Sequence, residues 1–121
     1  MKQHRFTIAD DDADALFFLQ RMIQGMYPQS SVSTFSNAED ALAHIRDTGT
    51  DMLITNHGMG ELTGTDLIRT LRAQKVEIPI IMVSGNPEVR KEAEEAGANA
   101  FVEKSLDTKA IRDCILKLLP D

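Results

Sequence analysis

The chain has 121 residues, 42% hydrophobic and 26% charged, with a formal net charge of −6. That length suits one domain, residues 1–121, able to bury about two thirds of the surface its unfolded form exposes. The acidic balance argues against direct nucleic-acid binding, which needs a basic surface, and no apolar stretch is long enough to span a membrane.

The N-terminal MKQHRFTIADDD lacks the apolar core of a signal peptide, and a lone Cys114 fits a reducing compartment, so a cytoplasmic location is expected. From there the chain alternates between short β-rich runs and segments of helical period. A first strand is expected over 6–9. A helix over 13–26 follows, with Leu16, Leu19, Ile23 and Met26 on one face. The second strand covers 31–35. Ser36-Asn37-Ala38-Glu39 then has the pattern of a capping box, with Ser36 as cap and Glu39 reaching back. The helix it opens carries Ala38, Ala41, Leu42 and Ile45 as its apolar stripe and closes at Gly49.

The third strand, 52–55, leads into a loop with Gly58, Gly60 and Gly64, then a helix over 65–73 burying Leu67, Ile68 and Leu71. After a fourth strand at 80–83, Asn86-Pro87 reads as an N-cap with proline at the first helical position, and Gly97 as a left-handed C-cap. The intervening VRKEAEEA is weakly apolar and should pack thinly. The fifth strand covers 100–102. The last helix, 108–119, sets Ala110, Ile111, Cys114, Ile115 and Leu118 on one face, where Cys114 reads as a small hydrophobe.

Five strand–helix units in succession imply an α/β fold, a doubly wound five-stranded parallel sheet with helices on both faces. Ligands bind such sheets at the carboxyl ends of the strands. Those ends carry Asp10, Asp11 and Asp12, then Asn56 with the glycine loop, then Ser84, then Lys104. Adjacent carboxylates repel by about 4 kcal/mol at ~4 Å for an effective dielectric near 20. A hard divalent cation such as magnesium would relieve that repulsion at Asp10 and Asp11. Lys104 could pair with a phosphoryl oxygen and Ser84 could donate to the same group. Asp12 and Asp14 read more simply as acids of the first helical turn.

With these residues in place the chain resembles the receiver domain of bacterial two-component response regulators over essentially its whole length. The resemblance rests on Asp10-Asp11 after the first strand, Ser84 after the fourth, Lys104 after the fifth, the Met59 and Gly64 spacing, and AGANAFVEK. It implies a flavodoxin-like fold with strand order 2-1-3-4-5. It also implies a metal site at Asp10, Asp11 and the Gly58 carbonyl, phosphoryl contacts from Ser84 and Lys104, and a switch at Phe101 and Ser84. Its partners would be a histidine kinase or other signalling protein. An output domain or a homodimer would form through the fourth and fifth helices, across Val89, Arg90, Glu94, Phe101 and the outer face of 110–117.

The departure is at the centre of the site. The family's phosphoacceptor aspartate falls at Asn56, and the family's prolines at two nearby positions are replaced by Gly60 and Ser105. The last two favour natural divergence over a deliberate replacement of aspartate. An amide oxygen carries no negative charge and is a poor nucleophile, so phosphoryl transfer to Asn56 is not expected. Magnesium binding should be weak, because one of three convergent charges is gone. His57, by strand alternation, should point away from the cluster. The expectation is therefore an atypical, non-enzymatic receiver acting through partner binding. A small magnesium-dependent phosphohydrolase of haloacid dehalogenase type is the alternative, on the acid-x-acid spacing of Asp10 and Asp12. A flavin module is weaker, because the loop after the first strand is acidic.

Overall fold

The computed structural model describes residues 3–104 and 108–119, so Ser105 and Pro120 lie outside the described residues. Five strands form one parallel sheet: β1 (Arg5–Ala9), β2 (Ser31–Phe35), β3 (Met52–Thr55), β4 (Ile80–Ser84) and β5 (Ala100–Glu103), in the order β2-β1-β3-β4-β5. The helices are α1 (Ala13–Met26), α2 (Ala38–Thr48), α3 (Gly64–Ala73), α4 (Arg90–Ala96) and α5 (Lys109–Leu118). A 3-10 turn, Pro87–Val89, precedes α4.

The three central strands bury nearly every residue, as a sheet covered on both faces requires. Alternation along each strand divides that burial between two cores. On one face Ala9, Leu53, Ile80, Met82 and Phe101 meet the apolar stripes of α2, α3 and α4. On the other, Phe6, Ile8, Met52, Ile54, Ile81, Val83 and Val102 meet Leu19 and Ile23 of α1 and Ile111 and Ile115 of α5. The edge strand β2 keeps its polar residues partly in solvent, while α4 buries only Ala93 and Ala96, the thin packing its composition implies.

Three expectations need correction. Asn37, not Ser36, caps α2: its Oδ1 accepts from the Asp40 backbone N–H at 2.8 Å, and its Nδ2 donates to the Asp40 carboxylate at 3.0 Å. Both residues are good caps, but only Asn37 also donates to the Asp40 carboxylate, and the four residues of the expected stripe are buried. Ala110 is exposed, because the inner line of α5 runs through Ile111 and Ile115, with Cys114 half-buried beside it. Val89, expected on the surface, is 8% exposed and belongs to the core under α4. Among the described residues no helix is long and apolar enough to cross a membrane.

Candidate functional site

Parallel strands deliver their carboxyl ends to one rim. There Asp10 donates its backbone N–H to the Phe35 carbonyl, Asn56 to the Ala9 carbonyl and Lys104 to the Ser84 carbonyl, so ladder-type bonds fix the ends of all five strands. Asp10, Asn56, Ser84 and Lys104 thus stand on adjacent strand tips.

Asp10 is 2% exposed and its carboxylate is fully engaged. Its Oδ2 lies 2.8 Å from Lys104 Nζ, and its Oδ1 accepts the Asp12 backbone N–H at 3.0 Å. The ammonium neutralises a charge that burial would otherwise penalise. Asp11 projects into solvent with its Oδ1 at the mouth of the site. Asp12 is the N-cap of α1, accepting from the Asp14 backbone N–H at 3.0 Å, and Asp14 lies in the first turn. Both serve the helix, as the sequence indicates.

Asn56 occupies the centre. Its Nδ2 lies 3.4 Å from Asp10 Oδ1, 3.5 Å from Asp11 Oδ1 and 3.3 Å from the Gly58 carbonyl oxygen. The loop that holds it is pinned from behind by α3. Gly64 donates to the His57 carbonyl at 2.7 Å and lies so close to the Asn56 carbonyl that a Cβ there would collide with backbone. Met59, 5% exposed, anchors the loop in the core, and Gly60 turns it with φ 102°. A capping box starts α3: Thr63 Oγ1 accepts from the Asp66 N–H, and the Asp66 carboxylate accepts from the Thr63 N–H. The Thr63 backbone N–H, and after it the Thr63 side chain, hold the Asp66 carboxyl below the usual carboxylate range. The Thr-x-x-Asp pattern carries this signal in the sequence, two residues ahead of the start at Thr65 that periodicity alone predicts.

His57 faces away from the cluster. Its Nδ1 is 3.0 Å from Thr65 Oγ1 and its Nε2 is 3.7 Å from a Glu92 carboxylate oxygen on α4. Ser84 is buried, its Oγ accepting the Asn86 backbone N–H at 3.1 Å, which leaves the hydroxyl proton available to a group in the site. Phe101 is 7% exposed, with the Arg90 guanidinium carbon 5.0 Å from its ring centroid. Beside it a groove of about 500 Å³ runs between α4 and α5, lined by Arg90, Phe101, Glu103, Lys104, Ala110 and Cys114.

One feature escaped sequence reasoning. Phe17 and Phe18 on α1 are 62% and 46% exposed, and Phe18 borders a groove of about 250 Å³ that reaches Lys104 and Ile111. The signal was present, since a stripe through Leu16, Leu19 and Ile23 leaves the two phenylalanines beside it.

Chemically, the rim offers two carboxylates, an ammonium, a hydroxyl and an amide. Among the described residues no three His, Cys, Asp or Glu side chains are grouped to hold a metal ion. Residues 6–116 match the model of the response regulator receiver domain family. The chain is 33% identical over 87 residues to the transcriptional regulatory protein FixJ of Rhizobium meliloti, a match covering 70% of this chain and 43% of FixJ. It is 29% identical over 110 residues to the cyclic di-GMP phosphodiesterase response regulator RpfG of Xanthomonas campestris, covering 88% of this chain and 29% of RpfG. The chain therefore spans less than half the length of either relative. The crystal structure of FixJ-N superposes with a TM-score of 0.85 at 28% identity, covering 98% of this chain and 94% of that one.

Proposed function

The chain belongs to the response regulator receiver domain family of two-component signalling, and from that premise we propose that it is an atypical receiver, unable to accept phosphate, that works by binding a partner. The observation that carries this reading is Asn56: the side chain central to the site, among Asp10, Asp11, Gly58 and Lys104, is an amide. In a receiver that position belongs to the phosphoacceptor. An aspartate there would attack phosphorus through an anionic oxygen and form an acyl phosphate. The amide has neither the charge nor that product. His57 does not replace it, because its ring is directed at Thr65 and Glu92.

Asp10, Asp11 and the Gly58 carbonyl are the hard oxygen donors that magnesium takes. The group directed at them is nevertheless an N–H donor, and a cation cannot share that position with it. As arranged, the site does not fit magnesium well. Binding is weak, and no step of the proposed function runs through the ion.

The partner is a histidine kinase or another signalling protein, engaged at the α4–β5–α5 face. There Arg90 stacks on Phe101 and the open groove lies between the helices. A homodimer or an output domain in a longer chain, as the greater lengths of FixJ and RpfG suggest, would use the same face. The phosphohydrolase alternative gains no support, since Asp12, its second acid, is committed to capping α1.

The test is incubation with acetyl phosphate and magnesium followed by intact-mass measurement. The mass should not change. A stoichiometric gain of one phosphoryl group, lost on hydroxylamine treatment, would overturn the proposal.

A further inference from the structure

Three acceptor oxygens from two separate segments converge on a single nitrogen: Asp10 Oδ1 after β1, Asp11 Oδ1 beside it, and the Gly58 carbonyl after β3 all face Asn56 Nδ2. The amide has two protons for these three acceptors, so no contact is short, and the spread of 3.3–3.5 Å is that of a shared donor. Turning the amide by half a rotation would put Oδ1 against the same three oxygens. Two of them belong to carboxylates, so electrostatics alone sets the orientation with nitrogen inward.

From this geometry we propose that the Asn56 side chain is a built-in substitute for a divalent cation: its NH2 group occupies the point where the three oxygens would otherwise gather a metal. The charge balance agrees. Asp10 is paired with Lys104 and accepts the Asp12 N–H, so its charge is met without an ion. Asp11 is exposed, and water and the amide share its demand. Two carboxylates and one ammonium leave one net negative charge, where a carboxylate at position 56 would leave two. The rim is consequently tied together by protein groups alone: Lys104 joins the end of β5 to β1, and Asn56 joins the β3 loop to β1. A cation can enter only by turning the amide over, so the side chain competes with the metal.

This competition predicts the opposite sign from the ordinary view of asparagine as a neutral oxygen ligand. Titrating MgCl2 into the parent and into Asn56→Ala by calorimetry separates the two. Removing the competitor should raise magnesium affinity at least several-fold, although the side chain removed contains an oxygen. The metal-free Ala variant should melt lower than the parent, and magnesium should restore it while leaving the parent unmoved. Equal or weaker magnesium binding by Asn56→Ala would overturn the proposal. A second measurement needs no variant. The Asn56 side-chain NH2 signals of the parent should exchange slowly with solvent and hold their positions when one equivalent of MgCl2 is added at protein concentrations of millimolar order or below. Signals that exchange like those of free asparagine, or that shift at one equivalent, would also overturn it. The proposal stands on contact geometry rather than on the receiver reading, whose own test is phosphoryl labelling, so either can fail without the other.

Discussion

Asn56→Asp converts the central donor into a third acceptor, and the cost can be worked from the contacts. A carboxylate oxygen would stand near 3.4 Å from Asp10 Oδ1 and 3.5 Å from Asp11 Oδ1. Each such pair repels by about 4 kcal/mol at ~4 Å for an effective dielectric near 20. Two effects reduce the sum. Lys104, 2.8 Å from Asp10, offsets that partner's charge, and Asp11 is exposed and screened by solvent. Loss of the shared amide donor adds about 1 kcal/mol. A net destabilisation of about 2–3 kcal/mol in chelator is expected, or a fall in Tm of about 8–12 °C at ~4 °C per kcal/mol for a chain of this size. Magnesium at ~100 times its Kd should return about 2.7 kcal/mol. The restored carboxylate should also take a phosphoryl group from acetyl phosphate: its oxygen bonds to phosphorus as the bond to acetate breaks, with Ser84 and Lys104 beside the product. Urea unfolding with EDTA and with MgCl2, and intact mass after acetyl phosphate, measure both halves. A variant as stable as the parent in EDTA would refute the repulsion argument. One that gains nothing from magnesium and takes no label would show that the Gly58–Gly60 loop no longer places the side chain for this chemistry.

Gly64→Ala should destabilise by about 1–3 kcal/mol in urea unfolding, because its Cβ meets the Asn56 backbone carbonyl, which cannot move without shifting the loop; a neutral effect would mean that α3 does not hold the loop in place. Asp66→Ala should cost about 1 kcal/mol or less near neutral pH, the side chain being 39% exposed and screened by solvent. Because folding depresses the Asp66 carboxyl, its contribution is present above the unfolded value of 3.8 and is lost as pH falls through the lower folded value. Parent and variant stabilities should therefore converge in strong acid, and a gap constant from pH 7 to pH 2 would contradict the capping-box account. Phe17→Ser should leave Tm almost unchanged, since the ring is 62% exposed; a loss above about 1 kcal/mol would place that ring in a core contact.

Local chemistry determined which segments become strands and helices, because period, caps and glycines act within a few residues. The β2 and β3 runs, the face of α1 through Leu19 and Ile23, and the left-handed turn at Gly97 all follow from neighbours in the chain. The rule that ligands meet strand carboxyl ends was enough to group Asp10, Asn56, Ser84 and Lys104 on one rim. What lay beyond the sequence depends on groups far apart in the chain. Periodicity shows that a helix has an apolar face but not which side of the sheet it covers, so the division of α2, α3 and α4 from α1 and α5 came only with packing. The exposure of Ala110 and the burial of Val89 likewise came only with the packing of α5 and of the 3-10 turn against the sheet. The same holds for Asn56. Its identity made it a poor nucleophile, but which end of its amide faces the site was decided by oxygens on Asp10 and Asp11, more than forty residues away in the chain. Only the folded field of those charges turns the nitrogen inward.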